Sequence, residues 1–247
     1  MKRPQLRRSN AVKSKRKSNR GERMKRAGKR LSFIIFTLIL SVSILAGCGP
    51  KKPTPEDAQA YVKAVMDVMC LGDYDHSVNL ADIEEGTEGQ VREQIIEAGL
   101  ASFGAEQGVS DEVRADFKET MLNAFTLAKY TVGDAVATDD GGYDVTVTIE
   151  PLRMYEGFND NFESVLTEKV EANIDAVRNM SEEEQFNFVM GVIIEMLNEN
   201  LKDPKYDDPV DVTVHYGLID EEQNLYGCSS DEGTKLGEKL FSLDGIE

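Results

Sequence analysis

Apolar residues along this chain follow two repeats, one every three to four positions and one every second position. The first marks helices with one buried stripe, the second strands with one buried face. Thr54 as N-cap, Pro55 after it and Asp57 at the capping-box position predict a helix start. Ala58, Tyr61, Val65, Val68 and Met69 form its stripe, and Gly72 ends it. Gly72-Asp73-Tyr74-Asp75 reads as a turn into a short segment, His76 to Leu80. A second helix is expected from Thr87 to Gly104, with Gln90 at N3. Its apolar positions are Val91, Ile95, Ala98 and Ser102, flanked by Ile96, Leu100 and Phe103. Ser110 caps a third helix that should run to about Lys129, with Val113, Phe117, Met121, Ala124 and Phe125 inward.

The period then changes. Tyr143, Val145, Val147 and Ile149 alternate with Asp144, Thr146, Thr148 and Glu150, the pattern of a strand with one wet face. Tyr130 to Ala137 is the expected partner, joined through the turn-forming Asp139-Asp140-Gly141-Gly142, and Pro151 ends the pair. Helical spacing returns with Phe162, Leu166, Val170, Ile174 and Val177. The capping box Ser181 to Glu184 opens another helix, which should bury Phe186, Val189, Ile193, Leu197 and Leu201 before Asp203-Pro204. Val210, Val212, Val214, Tyr216 and Leu218 form a further strand, followed by a turn near Glu221 to Asn224 and a short strand around Tyr226. Leu236 and Leu240 suggest a terminal helical turn. This order implies an α+β fold: several N-terminal helices and a long helical pair, packed on one antiparallel sheet of about four strands.

The N-terminus carries a different pattern. Leu31 to Ala46 contains no charge, follows Lys25, Arg26, Lys29 and Arg30, and leads into Leu45-Ala46-Gly47-Cys48. A positive n-region, a short apolar run and small residues at the cleavage point describe an export signal. The run falls short of the ~20 apolar residues of a spanning helix. Met24-Lys25-Arg26 is already a complete n-region, so residues 1–23 read as a basic extension that translation from Met24 would omit. The expected organisation is therefore 1–23 extension, 24–47 lipoprotein signal peptide, 48–54 lipidated cysteine and tether, and 55–247 a single extracytoplasmic domain. Lys13-Ser14-Lys15-Arg16-Lys17 could act as a nucleic-acid arm only if it survived processing.

Charge sharpens that division. Of 28 Lys/Arg and 45 Asp/Glu in 247 residues, residues 1–47 hold 14 bases and the single acid Glu22, leaving 14 bases and 44 acids after them. The body thus stands at −30, which repels phosphate backbones and argues against nucleic-acid binding. Three cysteines are too few for a disulfide scaffold, and two histidines cannot build a His-rich metal cluster.

Leu45-Ala46-Gly47-Cys48 resembles the lipobox of bacterial lipoproteins, which implies a diacylglyceryl thioether on Cys48 and an anchor in the cell membrane facing outward. Thr54-Pro55-Glu56-Asp57-Ala58, Gly72-Asp73-Tyr74-Asp75 and Tyr130-Thr131-Val132-Gly133 ahead of the Tyr143-to-Pro151 strand extend the likeness. Together with the lipobox they resemble a family of uncharacterised lipoproteins from Clostridia and other Firmicutes. That family has been likened to nuclear-transport-factor-two or cystatin-like α+β folds. The helical pair at residues 158–202 departs from that pattern. The resemblance implies location and architecture and supplies no catalytic residues.

Chemistry has few candidates. No nucleophile elbow, zincin, P-loop or dinucleotide motif is present. His215 lies on the polar phase of its strand, where solvation or pairing with a cross-strand acid is expected, and His76 sits in a turn beside Asp73 and Asp75. Neither Asp139 to Asp144 nor Asp207 to Asp211 has EF-hand spacing, so no metal ligand and no cofactor is expected. Cys70 and Cys228 could pair or could serve as small buried hydrophobes. Two functional classes remain: a non-catalytic lipoprotein binding an envelope protein or small ligand, and an extracytoplasmic enzyme using acidic residues, such as an envelope hydrolase. The first is preferred. On a cystatin-like fold, Tyr143, Val145, Val147 and Ile149 with Val212, Val214 and Tyr216 would line either a pocket beneath the first helix or a filled core.

Overall fold

The computed structural model describes residues 52–80, 83, 86–102, 108–222 and 224–245. The expected signal segment, the expected lipobox with Cys48, and the expected contributions of Phe103 and Gly104 lie outside the described residues. The elements are α1 (Pro55–Leu71), α2 (Glu88–Ser102), α3 (Asp111–Thr126), β1 (Lys129–Ala137), β2 (Tyr143–Glu150), α4 (Phe158–Ala172), α5 (Ile174–Asn179), α6 (Glu182–Lys202), β3 (Val210–Asp220), β4 (Leu225–Cys228) and α7 (Ser230–Leu240). The fold is α+β, with one four-stranded antiparallel sheet in the order β1-β2-β3-β4.

The first helix starts as its residues dictate. The Thr54 hydroxyl accepts from the Asp57 backbone N–H, Asp57 accepts from the Thr54 N–H, and Gly72 closes the helix at φ 71°. Its burial exceeds a single stripe: Val62, Ala64, Met66 and Cys70 are buried along with Ala58, Tyr61, Val68 and Met69. The cause is position. One side of α1 lies on the sheet while α2 and α3 pack on the other, so water is excluded nearly all round.

Sheet register follows the alternation. Val145 faces Val214 and Val147 faces Val212, with Val145, Val147 and Ile149 each at 0% exposure beneath α1 and α7. The opposite face carries Thr146, Thr148, Asp211 and Thr213, and the Thr148 hydroxyl donates to Asp211 at 2.6 Å. Among the described residues the predicted inward face is therefore packed core, with Val145, Val147, Ile149, Val212, Val214 and Tyr216 buried and Tyr143 half-buried at its edge.

Four expectations need correction. The third helix stops at Thr126, short of Lys129, because Lys129 already pairs with Glu150 in the β ladder. The Leu127 carbonyl accepts instead from the Tyr206 hydroxyl at 2.8 Å. The expected single helix over 162–177 is two, broken at Asn173, and neither α4 nor α5 has a buried residue. Phe162, Leu166 and Val170 are only half-buried because α4 packs chiefly against α6, and Ile174 is 38% exposed. Phe186 and Val189, at the outer end of α6, are half-buried for the same reason, whereas Ile193, Leu197 and Leu201 enter the core. On β3, Leu218 is exposed rather than inward: the register shifts between Leu218 and Asp220, and Leu218 and Ile219 both face solvent.

The C-terminal segment fastens this assembly. Leu152 N–H donates to the Leu240 carbonyl and Ser242 N–H to the Leu152 carbonyl, each at 2.9 Å. Asn159 N–H donates to the Gly245 carbonyl at 2.8 Å. Every buried residue among those described lies between 58 and 242, so a chain beginning at Gly49 carries the whole described core.

Candidate functional site

Helices α3 and α6 pack side by side, and the open groove between them has a volume of about 900 Å³. Its floor is set by Thr120, which is 1% exposed. The Thr120 hydroxyl donates to the Asp116 carbonyl at 2.8 Å and accepts from the Asn198 side-chain amide at 2.9 Å, so this buried polar group is satisfied from both helices. Ile194 and Leu201 supply apolar walls, and the rim carries Asp116, Glu119, Glu195 and Glu199. Lys169 pairs with Glu195 at 2.6 Å, and Lys202 pairs with Glu199. An acidic rim with two engaged lysines can hold a cationic group or a basic surface. The sequence offered no direct sign of this groove, since its acids occupy the wet faces of two helices far apart in the chain.

His215 is half-buried on the open face of the sheet. Its Nδ1 lies 2.9 Å from Asp144 Oδ1, on the residue directly opposite in register, and its Nε2 lies 3.2 Å from Asp140 Oδ2 in the hairpin loop. Of the two expected roles, solvation or pairing with a cross-strand acid, the structure shows the pairing. Gly142 and Gly217 make room for the ring: an added Cβ would come within 2.8 Å of it at position 142 and 2.6 Å at 217. Hydrogen bonds from Thr138 and the Gly142 N–H hold the Asp140 carboxyl below its ordinary range.

His76 occupies the turn after α1. Its Nε2 lies 3.7 Å from Asp73 Oδ1 and 3.7 Å from Glu88 Oε1, at the first position of α2. The Tyr74 ring stands 4.6 Å away, centroid to centroid. Asp75 faces its own turn, accepting the Ser77 N–H at 2.9 Å, which lowers its pKa. Glu88 was not singled out in the sequence, because its approach to His76 exists only once α1 and α2 have packed.

Cys70 and Cys228 are free, buried thiols. Burial pushes each from 9.0 up to about 12, with Asp67 adding to the effect at Cys70 and Glu232 at Cys228. They serve as small hydrophobes, the second of the two readings open in sequence.

No protein-family model matches the sequence, and no curated protein matches it. Among solved structures the fold is similar to that of a provisionally assigned lipoprotein (ycdA) from Bacillus subtilis, with a TM-score of 0.53 at 14% identity. The likeness covers 75% of this chain and 56% of that protein, so this chain spans little more than half its length. At that identity it is a likeness of fold. No helix among the described residues is long and apolar enough to cross a membrane.

Proposed function

We propose that this chain is an outward-facing lipoprotein, anchored through a diacylglyceryl group on Cys48, whose α+β domain binds a partner without transforming it. The anchor is supported by the lipobox after a short apolar run and by the likeness of fold to a provisional lipoprotein. Two acyl chains give stable attachment where one is marginal.

The observation that carries the binding reading is the α3–α6 groove. Its volume lies in the range of ligand sites, yet it is open and acidic, and two of its four rim carboxylates are engaged by lysines. That arrangement suits a basic surface better than a sequestered substrate. The partner is an envelope protein or ligand presenting positive charge, drawn in by a body (residues 48–247) of net charge −30. The test joins both halves of the proposal. Metabolic labelling with a tagged fatty acid should mark the wild-type chain and not Cys48→Ala. Immobilised residues 49–247 should capture a basic envelope component in a salt-dependent way. Neutralising Asp116, Glu119, Glu195 and Glu199 together to their amides should abolish capture. Turnover of a wall or glycan substrate, lost on replacing one carboxylate, would replace this reading with the hydrolytic one.

A further inference from the structure

We propose that Asp73, His76 and Glu88 form a binding site for a divalent transition-metal ion of the zinc type, which clips the turn after α1 to the start of α2. The three donor atoms lie within 4.8 Å of one another and come from two segments that only tertiary packing brings together. The His76 contacts, at 3.7 Å to each carboxylate, are too long for hydrogen bonds. They are a few tenths of an ångström wider than the edge of a tetrahedral zinc site, which is about 3.3 Å for ligand distances near 2.0–2.1 Å. A small inward movement of exposed turn residues would close that gap. His76 is 42% and Asp73 76% exposed in their side chains, so they have the freedom to make it.

Glu88 supplies the second and independent observation. Its side chain is only 14% exposed, and its Oε2 is buried with no hydrogen-bond partner. A carboxylate withdrawn from water without a matching donor is costly, and a metal ion is one of the few partners that removes that cost. Arg92, one turn along the same helix, does not pair with Glu88: it donates through Nη1 to the Cys70 carbonyl at 3.1 Å, its guanidinium lies against Gly72, and its own Nε is buried without a partner. Asp73 Oδ1 also accepts the Tyr74 N–H at 2.8 Å, a backbone contact that orients the carboxylate toward His76. One imidazole with two carboxylates favours zinc or a similar ion over calcium, which takes oxygen ligands alone. Three protein ligands leave a fourth position for water or for a donor from a partner.

Residues 49–247 can be titrated with Zn²⁺ by calorimetry and with Co²⁺ by visible absorption. One saturable equivalent is expected, with the Co²⁺ bands of a four- or five-coordinate site. His76→Ala and Glu88→Gln, checked for unchanged circular dichroism, should each weaken binding by about tenfold or more. Asp75→Asn should bind as the parent does, because Asp75 is committed to Ser77. Absence of saturable uptake would overturn the proposal and leave His76 as a plain ion-pairing residue. So would undiminished binding by the two variants, or displacement of Zn²⁺ by equimolar Ca²⁺, since either marks diffuse attraction to an acidic surface.

Discussion

Asp67 is 7% exposed in the middle of the protein, on the helix that touches every strand. Such a carboxylate survives only with partners. Lys63, one turn earlier, pairs with Oδ2, and the Tyr130 hydroxyl on β1 donates to Oδ1 at 2.6 Å. Burial, and then the bond to Asp67, push the Tyr130 phenol well above its ordinary range. The contact spans α1 and β1, so it fixes how the helix sits on the sheet. Tyr130→Phe would leave a buried carboxylate one donor short, and a loss of about 1.5–3 kcal/mol is expected for a bond to a charged group. Urea denaturation of the variant against the parent checks it; a change below about 0.5 kcal/mol would mean that Lys63 and solvent suffice.

Helices with similar sequence patterns carry unequal loads. Leu166 on α4 and Leu197 on α6 both fall on apolar stripes, yet Leu166 is half-buried in a helix with no buried residue and Leu197 is 1% exposed. Leu197→Ala should cost about 2–5 kcal/mol through lost transfer and the cavity left behind. Leu166→Ala should cost less than about 1 kcal/mol, because water can follow the truncated side chain. Thermal melts of both variants decide it, and equal destabilisation would mean that α4 is packed far more closely in solution. Limited proteolysis should likewise cut near Asn173, between α4 and α5, before it reaches α1.

Over the whole molecule, the buried acids that stay neutral set an alkaline limit. Cys70 and Cys228 rise from 9.0 to about 12 on burial, and Tyr155 and Tyr216 from 10.0 to about 12. A folded pKa above the unfolded one gives stability that is complete below the unfolded value and lost as pH climbs to the folded one. Unfolding free energy should therefore be level near pH 8 and fall steadily between about pH 9 and 12. Cys70→Ala should flatten the early part of that fall, from about pH 9 to 10, even if its stability at pH 8 is lower. At the acid end Asp140 and Glu156 are lowered, the first by Thr138 and Gly142, the second by Lys205. Their contribution is present above the unfolded carboxylate range and disappears as pH falls through their depressed values. Melting temperatures across pH 2 to 12 would show both limits.

Local chemistry is what the chain spells out by itself. Thr54 with Asp57 and Ser181 with Glu184 begin their helices in the structure as they read in the sequence, because a capping box is closed within four residues. The strand at Tyr143–Glu150 and its partner were equally legible, since alternation records which face meets the core. The α+β class follows from the order of those elements, and the expectation of a lipobox at Cys48 rests on sequence alone. Tertiary structure decided what depends on distant segments meeting. It surrounded α1 on nearly all sides, left the equally amphipathic α4 at the periphery, and ended α3 where β1 had to pair. It also made the acidic groove from the wet faces of α3 and α6, and carried Glu88 to His76 across twelve residues of chain. Periodicity shows which face of a helix is apolar, but not how many neighbours will cover it or which polar faces will look at one another.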